Sequence, residues 1–186
     1  MWRSAALAGI LYLLVVPARE MPRAADSAIL RSGAHDFDFL YGRWSAHISH
    51  ILNPFAGGQR VVELVATIAV SKVWNGRGWL EQIDADGPGI HWGGMAVFLY
   101  NSKGRQWGQS FVNGQSGVWA APMIGEFRNG RGEFYSQDGY DGRTVLVRGV
   151  WSNIEPTSHI YTESLSDDGG ATWRPGLIVS WSRIQP

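Results

Sequence analysis

The chain contains no cysteine. That excludes disulfides, thiol chemistry and a lipid-modified cysteine together. An exported domain of this size without disulfides is held by its core alone. Charge is also scarce: 17% of residues are charged, 16 basic against 16 acidic, and the formal net charge is zero. No run of Lys or Arg occurs, so the electrostatic footprint of a nucleic-acid or anionic-membrane partner is missing. No apolar stretch is long enough to cross a bilayer as a helix. No repeat of about 20–50 residues exists, which argues against a propeller. The G-x-S-x-G nucleophile elbow is absent, and Gly114-Gln115-Ser116-Gly117 has the wrong spacing for it. His47 and His50 stand three apart, a helix spacing rather than a strand spacing, so neither a metal site nor any other cofactor is expected.

What is present points to β structure. Glycine is abundant (24 residues) and the aromatics reach 12%, with ten Trp. Many turns combined with many large rings suit an all-β protein, and 186 residues are enough for one domain with a substantial core. The N-terminus reads as a signal peptide over residues 1–18. Arg3 is its positive region, Ala5 to Val16 its apolar region, and Val16-Pro17-Ala18 a cleavage site before Arg19. An uncleaved anchor is the alternative. Residues 19–34 form a polar tether, and residues 35–186 a single domain. Periplasmic or secreted localisation follows, with no integral membrane span after leader removal.

The domain opens with His35-Asp36-Phe37-Asp38-Phe39-Leu40-Tyr41-Gly42-Arg43-Trp44. Phe37, Leu40 and Tyr41 are spaced for a short helical or 3₁₀ turn, and Gly42 lets the chain bend into a strand. From Arg43 to Leu52 apolar and polar residues alternate, the signature of a half-buried strand. Further strands are expected at 60–73, 79–85, 94–101, 105–113, 117–122, 124–128, 131–136, 144–153, 158–166 and 172–184. They are separated by Gly-, Asn-, Asp- and Pro-rich turns such as Asn129-Gly130. About ten strands and almost no helix predict a barrel or a sandwich.

The ends of the chain favour a barrel. Leu177, Val179, Trp181 and Arg183 share one face of the last strand, and Trp44 lies on the apolar face of the first. Closure brings first and last strands together, so Arg183 would stand over the Trp44 indole. Such a contact contributes roughly 0.5–2 kcal/mol. G-x-W with a distant Arg resembles the closure of lipocalin-like barrels.

The resemblance extends further. Asp36 to Trp44, Asn75 to Gly78, Gly125 to Tyr135, Trp151 to Ser158 and Ser166 to Trp173 together resemble an uncharacterised bacterial lipocalin-like (calycin-type) family. Its pattern is a DFDF-x-x-G-x-W start and an S-x-DGG-x-TW ending. The resemblance implies a single antiparallel lipocalin-like β-barrel of about ten strands, with a short N-terminal helical plug and an interior cavity. It implies no activity. The family carries a Glu-Gln pair where this chain has Thr162 and Glu163, so any polar role there is shifted or absent.

Glu163 falls on the apolar face of its strand, where burial would raise its pKa unless Arg148 or another cation pairs with it. His50 falls on the inward face near the open mouth. These two are the candidate acid or base groups. Glu81 and Asp84 would lie on opposite faces of their strand, a poor acid–base pair. His159 is the candidate for a haem ligand, without a supporting motif. Ser166 to Trp173 matches the Asp-box turn brace, with Asp168 capping turn amides. Trp79, Trp107, Phe111, Trp119, Trp151, Tyr161 and Trp181 would form core packing, cavity wall, or both.

Three functions remain open. The first is a module that binds a small hydrophobic or amphipathic ligand inside the barrel. The second is an isomerase, lyase or hydrolase acting on a hydrophobic small molecule in the same cavity. The third is an envelope interaction protein that uses the loops Asn53 to Gln59 and Gly87 to Trp92.

Overall fold

The computed structural model describes residues 32–58 and 60–185. The leader expected at 1–18 and the expected tether up to residue 31 lie outside the described residues. Two 3₁₀ turns, Gly33–His35 and Asp38–Leu40, precede ten strands. These are β1 (Gly42–Leu52), β2 (Arg60–Val73), β3 (Gly78–Gly87), β4 (Ile90–Asn101) and β5 (Gln106–Asn113), followed by β6 (Met123–Arg128), β7 (Arg131–Tyr140), β8 (Arg143–Ser152), β9 (Ser158–Ser166) and β10 (Arg174–Arg183). Each strand pairs antiparallel with its neighbour in sequence, and β1 pairs with β10, closing the barrel. The all-β barrel expected from turn spacing and alternation is the observed fold. Among the described residues no helix is long and apolar enough to cross a membrane.

Inward and outward positions alternate along the strands because successive side chains point to opposite faces. In β1, Trp44, Ala46 and Ile48 are buried while Arg43, Ser45 and His47 are exposed. The inward residues of all ten strands meet in one apolar cluster. Turns fall where the chain can adopt positive φ, as at Asn129 (52°) and Gly130 (74°), the two central positions of a type I′ hairpin.

Strand limits differ from expectation in several places: β3 and β7 run on to Gly87 and Tyr140, beyond the expected 85 and 136. No strand forms at 117–122: that segment makes one isolated bridge, Val112 to Trp119. Pro122 has no N–H for a ladder, and Gly117 turns the chain at φ 65°. Conversely, β4 begins at Ile90, upstream of Gly93-Gly94. Those glycines do not break the strand. A Cβ on Gly94 would stand 2.7 Å from the Trp92 ring and 2.9 Å from that of Phe111, so the missing side chain admits two large neighbours.

One end of the barrel is closed by the segment before β1. Phe37 is fully buried and its ring meets Phe98, Phe127 and Trp107 at centroid distances of 4.7, 4.8 and 5.0 Å. The Trp107 indole N–H donates to the Gly33 carbonyl at 2.8 Å, and the Gly33 N–H donates to the Tyr100 hydroxyl at 3.1 Å. The plug is therefore both packed and hydrogen-bonded to the wall.

Arg183 fastens the closure. Trp44 and Arg183 are register partners, and the guanidinium stands 4.0 Å from the centroid of the indole. Its fork donates to the carbonyls of Tyr41 (2.7 Å), Phe39 (2.8 Å) and Pro156 (2.8 Å). The Trp44 N–H donates to the Leu40 carbonyl at 2.8 Å. A single cation thus joins the plug, the first and last strands and the β8–β9 connection. Gly42 makes this possible: its φ is 121°, and a Cβ there would stand 2.8 Å from the Arg183 Nη1.

Candidate functional site

Above the plug the interior is not filled. A cavity of about 530 Å³ remains, within the range that holds small ligands. Its apolar wall includes Ile48, Leu64, Ile68, Phe98, Val147 and Val179, with the rings of Trp92, Phe111, Trp151 and Trp181. The mouth is bordered by His50, Pro54, Ile90, Gln115, Asp138 and Tyr140.

Polar groups cross this wall as a chain. The Trp151 N–H donates to Gln109 Oε1 at 3.0 Å, and Gln109 Nε2 donates to the Tyr161 hydroxyl at 3.4 Å. The Tyr161 hydroxyl lies 3.3 Å from Glu163 Oε2 and 3.6 Å from Met123 Sδ. Gly149 makes room for it, since a Cβ there would stand 2.5 Å from the Tyr161 oxygen. Burial pushes the Tyr161 pKa well up, and the nearby Glu163 carboxylate adds to the effect. Burial also raises the Glu163 pKa, against the hydrogen bond from Tyr161, which lowers it. Arg148 does not pair with Glu163. It lies on the outer face, its guanidinium 4.4 Å from the centroid of the Trp173 ring.

Glu81 is the residue whose significance the sequence did not reveal. It faces inward from β3, in step with Trp79, Ile83 and Ala85, and Asp84 points out to solvent as alternation requires. Glu81 is 4% exposed and lines the cavity. Its Oε2 has no hydrogen-bond partner in the protein. Its register partners are Val70 and Ala96, which offer no cation. Desolvation pushes its pKa up to about 8, so it is a neutral acid near pH 7. The i, i+3 comparison with Asp84 obscured it: the relevant fact is the space its side chain faces, not a second carboxylate nearby.

The other candidate residues divide by depth. Phe111, Trp151, Tyr161, Glu163 and His50 line the cavity. His50 and Glu163 lie at one level, since Leu177 is the register partner of both. His50 stands at the exposed rim, and partial burial lowers its pKa. Trp107 packs against the plug, and Trp79 is fully buried beneath the ammonium of Lys72, 4.8 Å from its ring centroid. Trp119 is half exposed and off the wall, which takes Ala120 and Ala121 from that segment instead. His159 is sealed between the cavity and the plug, with Trp44, Trp181 and Phe39 at 4.5, 4.7 and 5.0 Å. Neither of its ring nitrogens has a hydrogen-bond partner, and desolvation, aided by Arg183, pushes its pKa down to about 3.

On the outer face Asp84, Asp86 and His91 lie close enough to share an ion, but all three are exposed and His91 already bonds Asp86 at 2.8 Å. At the β9–β10 turn, Asp168 accepts from Ser166 Oγ (2.7 Å), Thr172 N (2.9 Å) and Thr172 Oγ1 (2.6 Å). These bonds hold its carboxyl well below the usual range. The motif is a turn brace.

No protein-family model matches the chain, and neither does any curated protein. Among solved structures, the S-type phycobiliprotein lyase from Guillardia theta is similar, with a TM-score of 0.54 and 12% sequence identity. The match covers 84% of this chain and 95% of that one. At that identity the likeness carries the fold alone, an antiparallel β-barrel.

Proposed function

We propose that this protein binds a small hydrophobic or amphipathic molecule inside its barrel, after export to the periplasm or the cell exterior. The observation that carries the reading is the cavity of about 530 Å³ between the plug and the mouth, walled by aromatic and aliphatic side chains. A core meant only for stability would be packed to crystal-like density, and an unfilled volume of this size forfeits dispersion contacts. The leader at 1–18 supports export, and the motif set from Asp36 to Trp173 supports membership of the lipocalin-like family it resembles.

The test is binding of an apolar fluorescent probe, together with native mass spectrometry of the protein purified from its host. Ala96 lines the cavity, so Ala96→Trp fills it. Probe binding by the wild type that is lost in Ala96→Trp supports the reading. Absence of any apolar probe or co-purifying molecule, or binding that Ala96→Trp leaves intact, refutes it.

A second reading is an enzyme acting on the same ligand. Its specific support is a wall carboxyl, Glu81, that holds a proton at neutral pH, with Tyr161 and Glu163 at the same cavity. The structural neighbour is itself named a lyase. Chemical change of the co-purifying molecule in the wild type, abolished in Glu81→Gln or Glu163→Gln, would favour this reading. An unchanged molecule after long incubation favours binding alone.

A further inference from the structure

The polarity of the cavity is one-sided. Its ionisable lining consists of His50 from β1, Asp138 and Tyr140 from β7, and Tyr161 and Glu163 from β9, besides Glu81 itself. Among the described residues neither Lys nor Arg lines it. The strands flanking Glu81 contribute only uncharged side chains, Leu64 and Ile68 from β2 and Ile90, Trp92, Ala96 and Phe98 from β4. The Gln109 amide is already engaged on both sides, by Trp151 and by Tyr161. Besides the neutral amides and hydroxyl of Asn113, Gln115, Ser136 and Gln137 and the unpartnered indole N–H of Trp181, the cavity offers carboxyl oxygen, and Glu81 is the carboxyl in its wall with a buried oxygen, Oε2, that lacks a partner.

The geometry points to an amphipathic ligand with a protonated amine head, held by Glu81 at the inner wall, its hydrocarbon part against the aromatic lining. This rests on the cavity-binding reading and names the class of ligand. A buried acceptor without a donor is costly, and an ammonium supplies three donors and the opposite charge. A fatty-acid anion would meet three carboxyl groups and no cation, so the same wall disfavours it. Without ligand Glu81 is protonated near neutral pH, because desolvation has pushed its pKa up to about 8. Entry of R–NH₃⁺ leaves the ammonium paired with the carboxylate and sends the Glu81 proton to solvent. Affinity therefore rises with pH towards 8, by about tenfold per pH unit at most for one released proton.

The experiment compares decylammonium, decanol and decanoate as probes by calorimetry, in buffers of different ionisation enthalpy. The expected result is decylammonium bound roughly tenfold or more tightly than decanol, decanoate weakest, and close to one proton released per decylammonium at pH 7. In Glu81→Gln the ratio of decylammonium to decanol affinity collapses and proton release disappears. Near-UV circular dichroism establishes that this variant is folded, and the proton count on the wild type needs no variant at all. Decanoate binding as well as decylammonium, a preference undiminished in Glu81→Gln, or no proton release overturns the inference. If decanol binds while decylammonium gains nothing, only the amine assignment falls. If none of the three probes binds, the cavity reading falls with it.

Discussion

Glu81→Gln should make the protein more stable, by an amount that depends on pH. The folded chain keeps the Glu81 proton up to about pH 8, whereas the ordinary value for a Glu is 4.5. Between those values the native state binds the proton and the unfolded state releases it, so stability falls as pH rises. The contribution of the neutral acid is fully present below about 4.5 and lost by about 8. The full separation is worth about 5 kcal/mol, of which about 3 kcal/mol has accrued by pH 7. A neutral amide of nearly the same shape has no such dependence. Urea unfolding followed by tryptophan fluorescence at fixed pH values gives both curves. His159 acts in the opposite sense. Neutral in the fold down to about 3, it costs stability as pH falls from 6.5. It is common to both proteins, so it cancels in the difference. The stability of Glu81→Gln relative to wild type should grow by roughly 2–5 kcal/mol from pH 4.5 to pH 8. A difference that stays constant within about 1 kcal/mol would refute the reasoning, because it would mean a charged, hydrated Glu81 in the folded wall.

Removing the guanidinium in Arg183→Ala loses three bonds to carbonyls and one contact with an indole, and should cost about 2–4 kcal/mol. In a domain of this size that lowers the melting temperature by roughly 4–16 °C, with Arg183→Lys in between, and a loss of under about 1 °C would refute the closure argument. Phe37→Ala should cost about 3–5 kcal/mol in chemical unfolding, since six aromatic rings surround the side chain. His159→Phe keeps the ring contacts and removes the buried imidazole. Relative to its effect at pH 7 it should gain roughly 3 kcal/mol at pH 4, read from unfolding curves at the two values.

Much of this architecture was legible because short-range chemistry specifies it. The limits of β2 and β9 follow from breakers at Asn53 to Gly58, Asn75 to Gly78 and Glu155 to Thr157. The Trp44–Arg183 level follows from alternation in two strands that a closed sheet must join. What pattern reading misses is depth along the barrel axis, which depends on tilt and register rather than on local sequence. Trp79, Trp107 and Trp151 all point inward, yet only Trp151 reaches the cavity and Trp107 meets the plug. Trp119 belongs to a segment that never joins the ladder beyond one bridge. Alternation put Glu81 on the strand face opposite Asp84 without saying which of the two faces inward. Only the packed structure shows that Glu81 faces empty space without a partner.

The two halves of the barrel are therefore under different demands. At the closed end, indole N–H groups of Trp44 and Trp107 end on carbonyls of the plug, and Arg183 satisfies three more carbonyls. Above the plug, the interior leaves about 530 Å³ unfilled and the cavity-lining Glu81 keeps one carboxyl oxygen unpartnered. Both features destabilise the fold, which is the usual mark of a site shaped by something other than packing. The separation has a consequence for mutagenesis. Changes at Phe37 or Arg183 should alter stability while leaving the ranking of amine over alcohol in place. Glu81→Gln should raise stability and erase that ranking. A stabilised variant with lost selectivity cannot be explained by damage to the fold, so this opposition distinguishes a binding carboxyl from a structural one.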